Sequence, residues 1–240
     1  MHEQTAPRPE QTRQAADHHR VVTPAYDPTG HRSCDVMCTV ELLWIPLGAG
    51  QHVVRISGGV YEALAAFVQH RPACDLYHSA LVVTVPGGRY VIEMTPVPDR
   101  HGEQRGVVAE GAVGAAWLGK LRVFRYEIHR WHDGVIPDAN HVAATTTLQL
   151  ELADAQRILD LVPTVPTPVW GRNELDAGEM WNSNSVTSWI LHRCGVDTSQ
   201  LAPPTGGRAP GWDAGLVIAA RIGTTSDSVS PRSKRRSEWT

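Results

Sequence analysis

The sequence predicts an α+β domain, an antiparallel sheet with helices. β-branched and aromatic runs crowd the first half, helical apolar spacing dominates the second, and strand and helix units do not alternate. Strict alternation would announce a parallel, doubly wound sheet. No G-x-G-x-x-G or G-x-x-x-x-G-K sequence opens a helix either, which argues against that class of nucleotide-binding fold.

The elements follow in chain order. Residues 1–38 are rich in Gln, Arg, His, Pro and Asp, with too few apolar positions to offset chain entropy, and are expected to be disordered. Thr39–Leu47 and Gln51–Ser57 read as strands across Gly48-Ala49-Gly50. The period then changes: Val60, Leu64, Phe67 and Val68 predict a helix over 59–70 that Arg71-Pro72 closes. Leu76–Val85 and Arg89–Thr95, joined by Pro86-Gly87-Gly88, form the clearest hairpin. A strand is predicted over Leu121–Arg130. A helix over Ala153–Val162 follows from Leu152, Ala155, Ile158, Leu159 and Val162, and the stretch Pro163–Pro168 is then an ordered loop or a linker. The last helix is expected over Asn184–Arg193, after the polar cluster Asn182-Ser183-Asn184-Ser185 and before Gly195. Residues 223–240 read as a second disordered tail, which leaves one globular domain over 39–222.

Composition bounds the function. In 240 residues, 42% hydrophobic side chains suffice for one core, and the net charge of -3 implies no surface-wide field for nucleic acid. The one dense basic run is Arg232, Lys234, Arg235 and Arg236. The longest apolar runs, Leu42–Ile45 and Ala80–Val85, fall far short of the roughly 18 residues of a bilayer span. The opening residues contain no apolar signal region, so a cytoplasmic location and four reduced cysteines are expected.

Chemistry could reside at two places. His78 starts a strand beside a loop, and imidazole titrates in the range that suits a general base. Ser183 and Ser185 open a helix, where backbone N–H groups favour developing negative charge. Each feature also has a plain explanation: a half-buried histidine satisfied by backbone, and Ser and Asn as the best N-cap residues. Trp170, Trp181, Trp189 and Trp212 cluster in sequence around the serines; Trp189 reads as packing and Trp181 as a pocket wall.

Taken together, His78 on a first hairpin strand, Tyr90-Val-Ile-Glu-Met-Thr-Pro96 on the second and Asn182-Ser-Asn-Ser-Val186 at a late helix resemble a circularly permuted papain-like domain. Similar families are the lecithin retinol acyltransferase-like proteins, the PPPDE peptidases and permuted NlpC-type peptidases. The resemblance covers about 40 residues in two or three patches. It implies His78 as base, Ser183 as nucleophile where those families hold Cys, and Glu93 as the third polar residue, with Ser185 an alternative register. Tyr77, Thr95, Trp181, Asn182 and Asn184 are the accompanying binding candidates.

Counting through a Gly87-Gly88 turn pairs Val85 with Tyr90 and Val82 with Glu93, four residues or ~13 Å from His78. Thr95 falls opposite Ala80 in that register and lies nearer to the ring. Cys34 and Cys38 with His31 and Asp35 lack a second downstream pair, and His129, His132 and His141 lack an H-E-x-x-H frame, so no metal is expected. Cys74 and Cys194 read as small core residues, and no cofactor is implied. Two functions stay open. One is hydrolysis or acyl transfer on an amide or ester through a Ser-His pair, with helix N–H groups as oxyanion donors. The other is a papain-like module without the thiol that binds a peptide or lipid.

Overall fold

The structure, a computed structural model, describes residues 19–22, 36–47, 74–97, 106–136 and 139–227. Strands β1 (His19–Val22), β2 (Met37–Pro46), β3 (Tyr77–Val85), β4 (Gly88–Pro96), β5 (Val107–Ala112), β6 (Arg125–His132) and β7 (Ala144–Glu151) form a seven-stranded sheet in the order β1-β7-β2-β3-β4-β6-β5. Neighbours from β7 to β5 pair antiparallel and β1 joins β7 in parallel. Helices α1 (Leu152–Leu161), α2 (Ser183–Arg193) and α3 (Trp212–Asp227) complete the α+β layout. No helix among the described residues is long and apolar enough to cross a membrane.

Strand periodicity divides the sheet into two chemically different faces. Val40, Leu42 and Trp44 on β2, Leu81 and Val83 on β3, Ile92 on β4 and Ile128 on β6 share one buried cluster with Ile158 of α1, Trp189 and Ile190 of α2 and Ile218 of α3. This is the helix-covered face. The intervening residues Leu43, Ile45, Ala80, Val82 and Val91 form a separate, smaller cluster with Ile136 on the opposite face.

The hairpin turns one position earlier than the sequence count assumed. Pro86 and Gly87 make the turn and Val85 pairs with Gly88, so the register is shifted by two residues: Val82 faces Val91, not Glu93. Gly88 has φ +132, a conformation glycine adopts without strain, and proline's fixed φ suits the first turn position.

Other expectations are also revised. Leu121–Arg130 is not one strand, because 3-10 turns occupy Ala116–Lys120 and Arg122–Phe124 before β6 begins at Arg125. Short 3-10 turns form where consecutive N–H groups reach back three residues, as Leu121 does to Leu118 and Phe124 to Leu121. β1 and the first two residues of β2 fall within the stretch expected to be disordered, and α3 runs five residues past the expected domain end at 222. The strand expected over 51–57, the helix over 59–70, and His31, Cys34 and Asp35 lie outside the described residues, while Cys38 is buried in β2.

Candidate functional site

The start of α2 is a dense hydrogen-bonded node. The Asn182 side-chain carbonyl accepts the backbone N–H groups of Asn184 (2.9 Å) and Ser185 (3.4 Å), and Ser185 Oγ accepts the Asn182 N–H at 3.1 Å. That is a reciprocal capping box with Asn182 as cap. The same side chains reach outward. Ser185 Oγ donates to the Gly211 carbonyl at 2.7 Å, and Asn182 Nδ2 donates to the Pro210 carbonyl at 2.8 Å. Asn184 Nδ2 donates to the carbonyls of Tyr77 and Pro210, both at 2.9 Å. Ser188 Oγ donates to the Trp212 carbonyl at 2.7 Å, and Glu179 accepts the Gly211 N–H at 2.7 Å.

The cluster therefore ties three elements together: the opening of α2, the entry to α3 and the first residue of β3. Gly211 permits the close approach. It has φ +83, and a Cβ there would fall 2.6 Å from Asn182 Oδ1. Ser183, Asn184 and Ser185 are all buried. No hydrogen bond to the Ser183 hydroxyl is present among the described residues.

His78 lies on the other side of the sheet. The β2–β3 ladder is regular from Thr39–Thr84 to Pro46–Tyr77, so side chains alternate to its end. Tyr77 belongs to the helix-covered cluster, and Ile45, the cross-strand partner of His78, to the opposite one. The residues that β3 presents to α2 are thus Tyr77 and Ser79; α2 fastens to the backbone carbonyls of both, through Asn184 and, at 3.5 Å, Thr187. The structure does not bring His78 together with Ser183 or Ser185.

The β3–β4 pairing runs from Leu81–Ile92 to Val85–Gly88, and strand alternation puts Glu93 and Thr95 on the same sheet face as His78. Glu93 also pairs across β4–β6 with His129, and Thr95 with Glu127. His129 and Glu127 are both buried, with His129 Nε2 2.9 Å from Glu127 Oε2. Glu93, Glu127 and His129 thus neighbour one another on the face away from the helices. The sequence reading set His129 aside for want of an H-E-x-x-H frame, but alternation along Arg125–His132 puts Glu127 and His129 on one face and could have paired them. Thr95 Oγ1 donates to the Pro96 carbonyl at 2.8 Å. Among the described residues, no group of three or more His, Cys, Asp or Glu side chains is arranged to hold a metal ion.

Trp181, expected to wall a pocket, is a core residue, and Trp189 packs in the core as expected. Trp181, Trp189 and Trp212 are buried, and Trp44 packs on Trp212 with ring centroids 5.0 Å apart. Trp170 packs edge-on against Tyr126 at 5.8 Å. Burial, assisted by Asp75, raises the Tyr77 phenol above its ordinary value, so Tyr77 stays neutral at physiological pH. Cys38, Cys74 and Cys194 are free thiols. Burial, with Asp154 adding, pushes the Cys194 thiol up to about 11.

Comparison of the chain with family models, curated proteins and solved structures finds no match.

Proposed function

We propose that the chain is a cytoplasmic binding module of papain-like layout, with a peptide or a lipid as ligand, in which the Asn182–Ser185 cluster is a structural clamp and not a nucleophile site. One observation carries the reading: strand alternation sets His78 on the sheet face opposite α2, while Ser185 is engaged with Gly211 and Asn182. A serine hydroxyl ionises far less readily than a thiol, so without a base in contact a helix terminus does not make it a nucleophile. The papain-like resemblance enters as layout: a helix opening in Asn-Ser-Asn-Ser laid over the first strand of a hairpin. The hydrogen bonds from Asn184 and Thr187 to Tyr77 and Ser79 support it.

The test is covalent. The full chain is incubated with a fluorophosphonate probe and mapped by peptide mass spectrometry, alongside Ser183→Ala, Ser185→Ala and His78→Ala, with nitrophenyl ester hydrolysis measured in parallel. The expected result is no adduct at either serine and no ester turnover that these substitutions remove. An adduct on Ser183 or Ser185 that disappears in His78→Ala would replace the binding reading with the acyl-transfer one.

A further inference from the structure

Among the described residues, exposed large apolar side chains stand singly or in pairs except in one place. In the 3-10 turns between β5 and β6, Trp117 is 70% exposed, Leu121 55%, Val123 68% and Phe124 38%. Four large apolar side chains open to solvent within eight residues form the kind of patch that soluble surfaces carry where they meet something else. The turns hold them there. Leu118, Leu121 and Phe124 donate backbone N–H groups to Ala115, Leu118 and Leu121, and Val113 N–H bonds to the Phe124 carbonyl. The segment is therefore fastened at its base to the end of β5, where Gly119 packs close to Ala112.

Charge says what it meets. Residues 115–125 contain Lys120, Arg122 and Arg125 and no acidic residue, in a chain whose formal net charge is -3. Arg125 is engaged, with Nε on the Gly119 carbonyl and its guanidinium 3.3 Å from Glu110. Lys120 and Arg122 are exposed among the apolar side chains. Trp beside cations on a short exposed element is the composition of segments that sit at the boundary between headgroups and acyl chains: the ring and aliphatic groups enter, and the cations meet anionic headgroups.

We infer that the Ala115–Arg125 lobe is a docking site for an anionic lipid surface, into which Trp117, Leu121 and Val123 insert while Lys120 and Arg122 pair with headgroup phosphates or carboxylates. The inference gives the binding reading a ligand class and a surface. It rests on that reading only in calling the chain a binder, since fluorophosphonate labelling and vesicle binding succeed or fail separately.

The experiment is co-sedimentation of the full chain with sucrose-loaded vesicles of phosphatidylcholine alone and of phosphatidylcholine with about a third phosphatidylserine. The expected result is binding to the anionic vesicles that falls with added salt. Lys120→Gln with Arg122→Gln should weaken it about thirtyfold, the loss of two headgroup pairs. Trp117→Ser with Leu121→Ser should weaken it roughly tenfold. Both pairs are surface changes, checked by unchanged thermal melting.

Three results overturn the inference. The full chain fails to sediment with anionic vesicles at millimolar lipid; binding persists undiminished in both double variants, which would assign it to another segment such as the C-terminal basic run; or sedimentation velocity shows the lobe variants dissolving an oligomer without changing vesicle binding, which would make the patch a protein interface.

Discussion

Ser185→Ala separates a clamp from a catalytic serine most sharply when set beside Ser183→Ala. The Ser185 hydroxyl is fully buried and serves two backbone groups at once, accepting from Asn182 N–H at 3.1 Å and donating to Gly211 C=O at 2.7 Å. Alanine fits the space and leaves both groups poorer in partners. The Asn182 N–H is left unsatisfied, at about 1–3 kcal/mol, while the Gly211 carbonyl keeps the Gly215 N–H and loses one bond of about 1 kcal/mol, so the two together cost about 2–4 kcal/mol, more than the ~1 kcal/mol of an ordinary cap. For a chain of this size that is a fall in Tm of about 5–15 °C.

Ser183 has no such bonds among the described residues, so Ser183→Ala should change stability by less than about 1 kcal/mol. Urea unfolding followed by circular dichroism reads both, with a shifted midpoint at unchanged slope. A Ser185→Ala midpoint within error of the wild type, or equal losses from the two substitutions, would refute the clamp.

Three further outcomes follow from the same structure. Glu127→Ala removes the carboxylate 2.9 Å from the buried His129 ring and should cost about 3 kcal/mol, with Glu127→Gln retaining a hydrogen bond and costing less, again by urea unfolding. Gly215→Ala would push a Cβ against Ser188 Oγ and the Ser185 carbonyl where α3 crosses α2, so it should lower stability by about 1–3 kcal/mol and alter near-ultraviolet dichroism of the buried tryptophans. The Cys194 thiol, held protonated up to about 11, contributes stability that is present below the ordinary thiol range and is lost as pH rises through about 11, because over that interval the unfolded chain has already given up the proton. Stability measured from pH 8 to 11 should therefore fall less steeply in Cys194→Ala than in the wild type.

Some of this fold was legible in the residues alone. The hairpin followed from two β-rich runs around Pro86-Gly87-Gly88, and α2 from Ser and Asn ahead of an apolar stretch with Gly195 behind it. α1 came from helical spacing, expected over Ala153–Val162 and observed one residue earlier at each end, over Leu152–Leu161. Less visible were elements whose pattern is diluted. β7 is built on Ala144-Thr-Thr-Thr, whose β-branched side chains are polar, and β5 carries a glycine and a register shift between Val107 and Ala109. α3 opens directly after Gly211, and its apolar stripe is interrupted by Gly215 and Arg221.

At the candidate site, residue types pointed to a helix terminus but could not say on which sheet face His78 lies. That depends on parity along β3 relative to the helices, a tertiary property. The one-position move of the turn from Gly87-Gly88 to Pro86-Gly87 was enough to shift Glu93 by two residues. The Glu127–His129 pair required knowing that Arg125–His132 is the strand, and the sequence signal had begun four residues too early, in the exposed lobe.

The central claim is that β3 turns Ser79, and not His78, toward α2. Disulfide trapping measures it directly, because a bridge forms only where Cα atoms lie within about 7 Å. In a background free of native cysteines, Ser79→Cys with Thr187→Cys and His78→Cys with Ser183→Cys are each exposed to mild oxidation. The account predicts a bridge in the first pair and free thiols in the second; a bridge between positions 78 and 183, with none between 79 and 187, would contradict it.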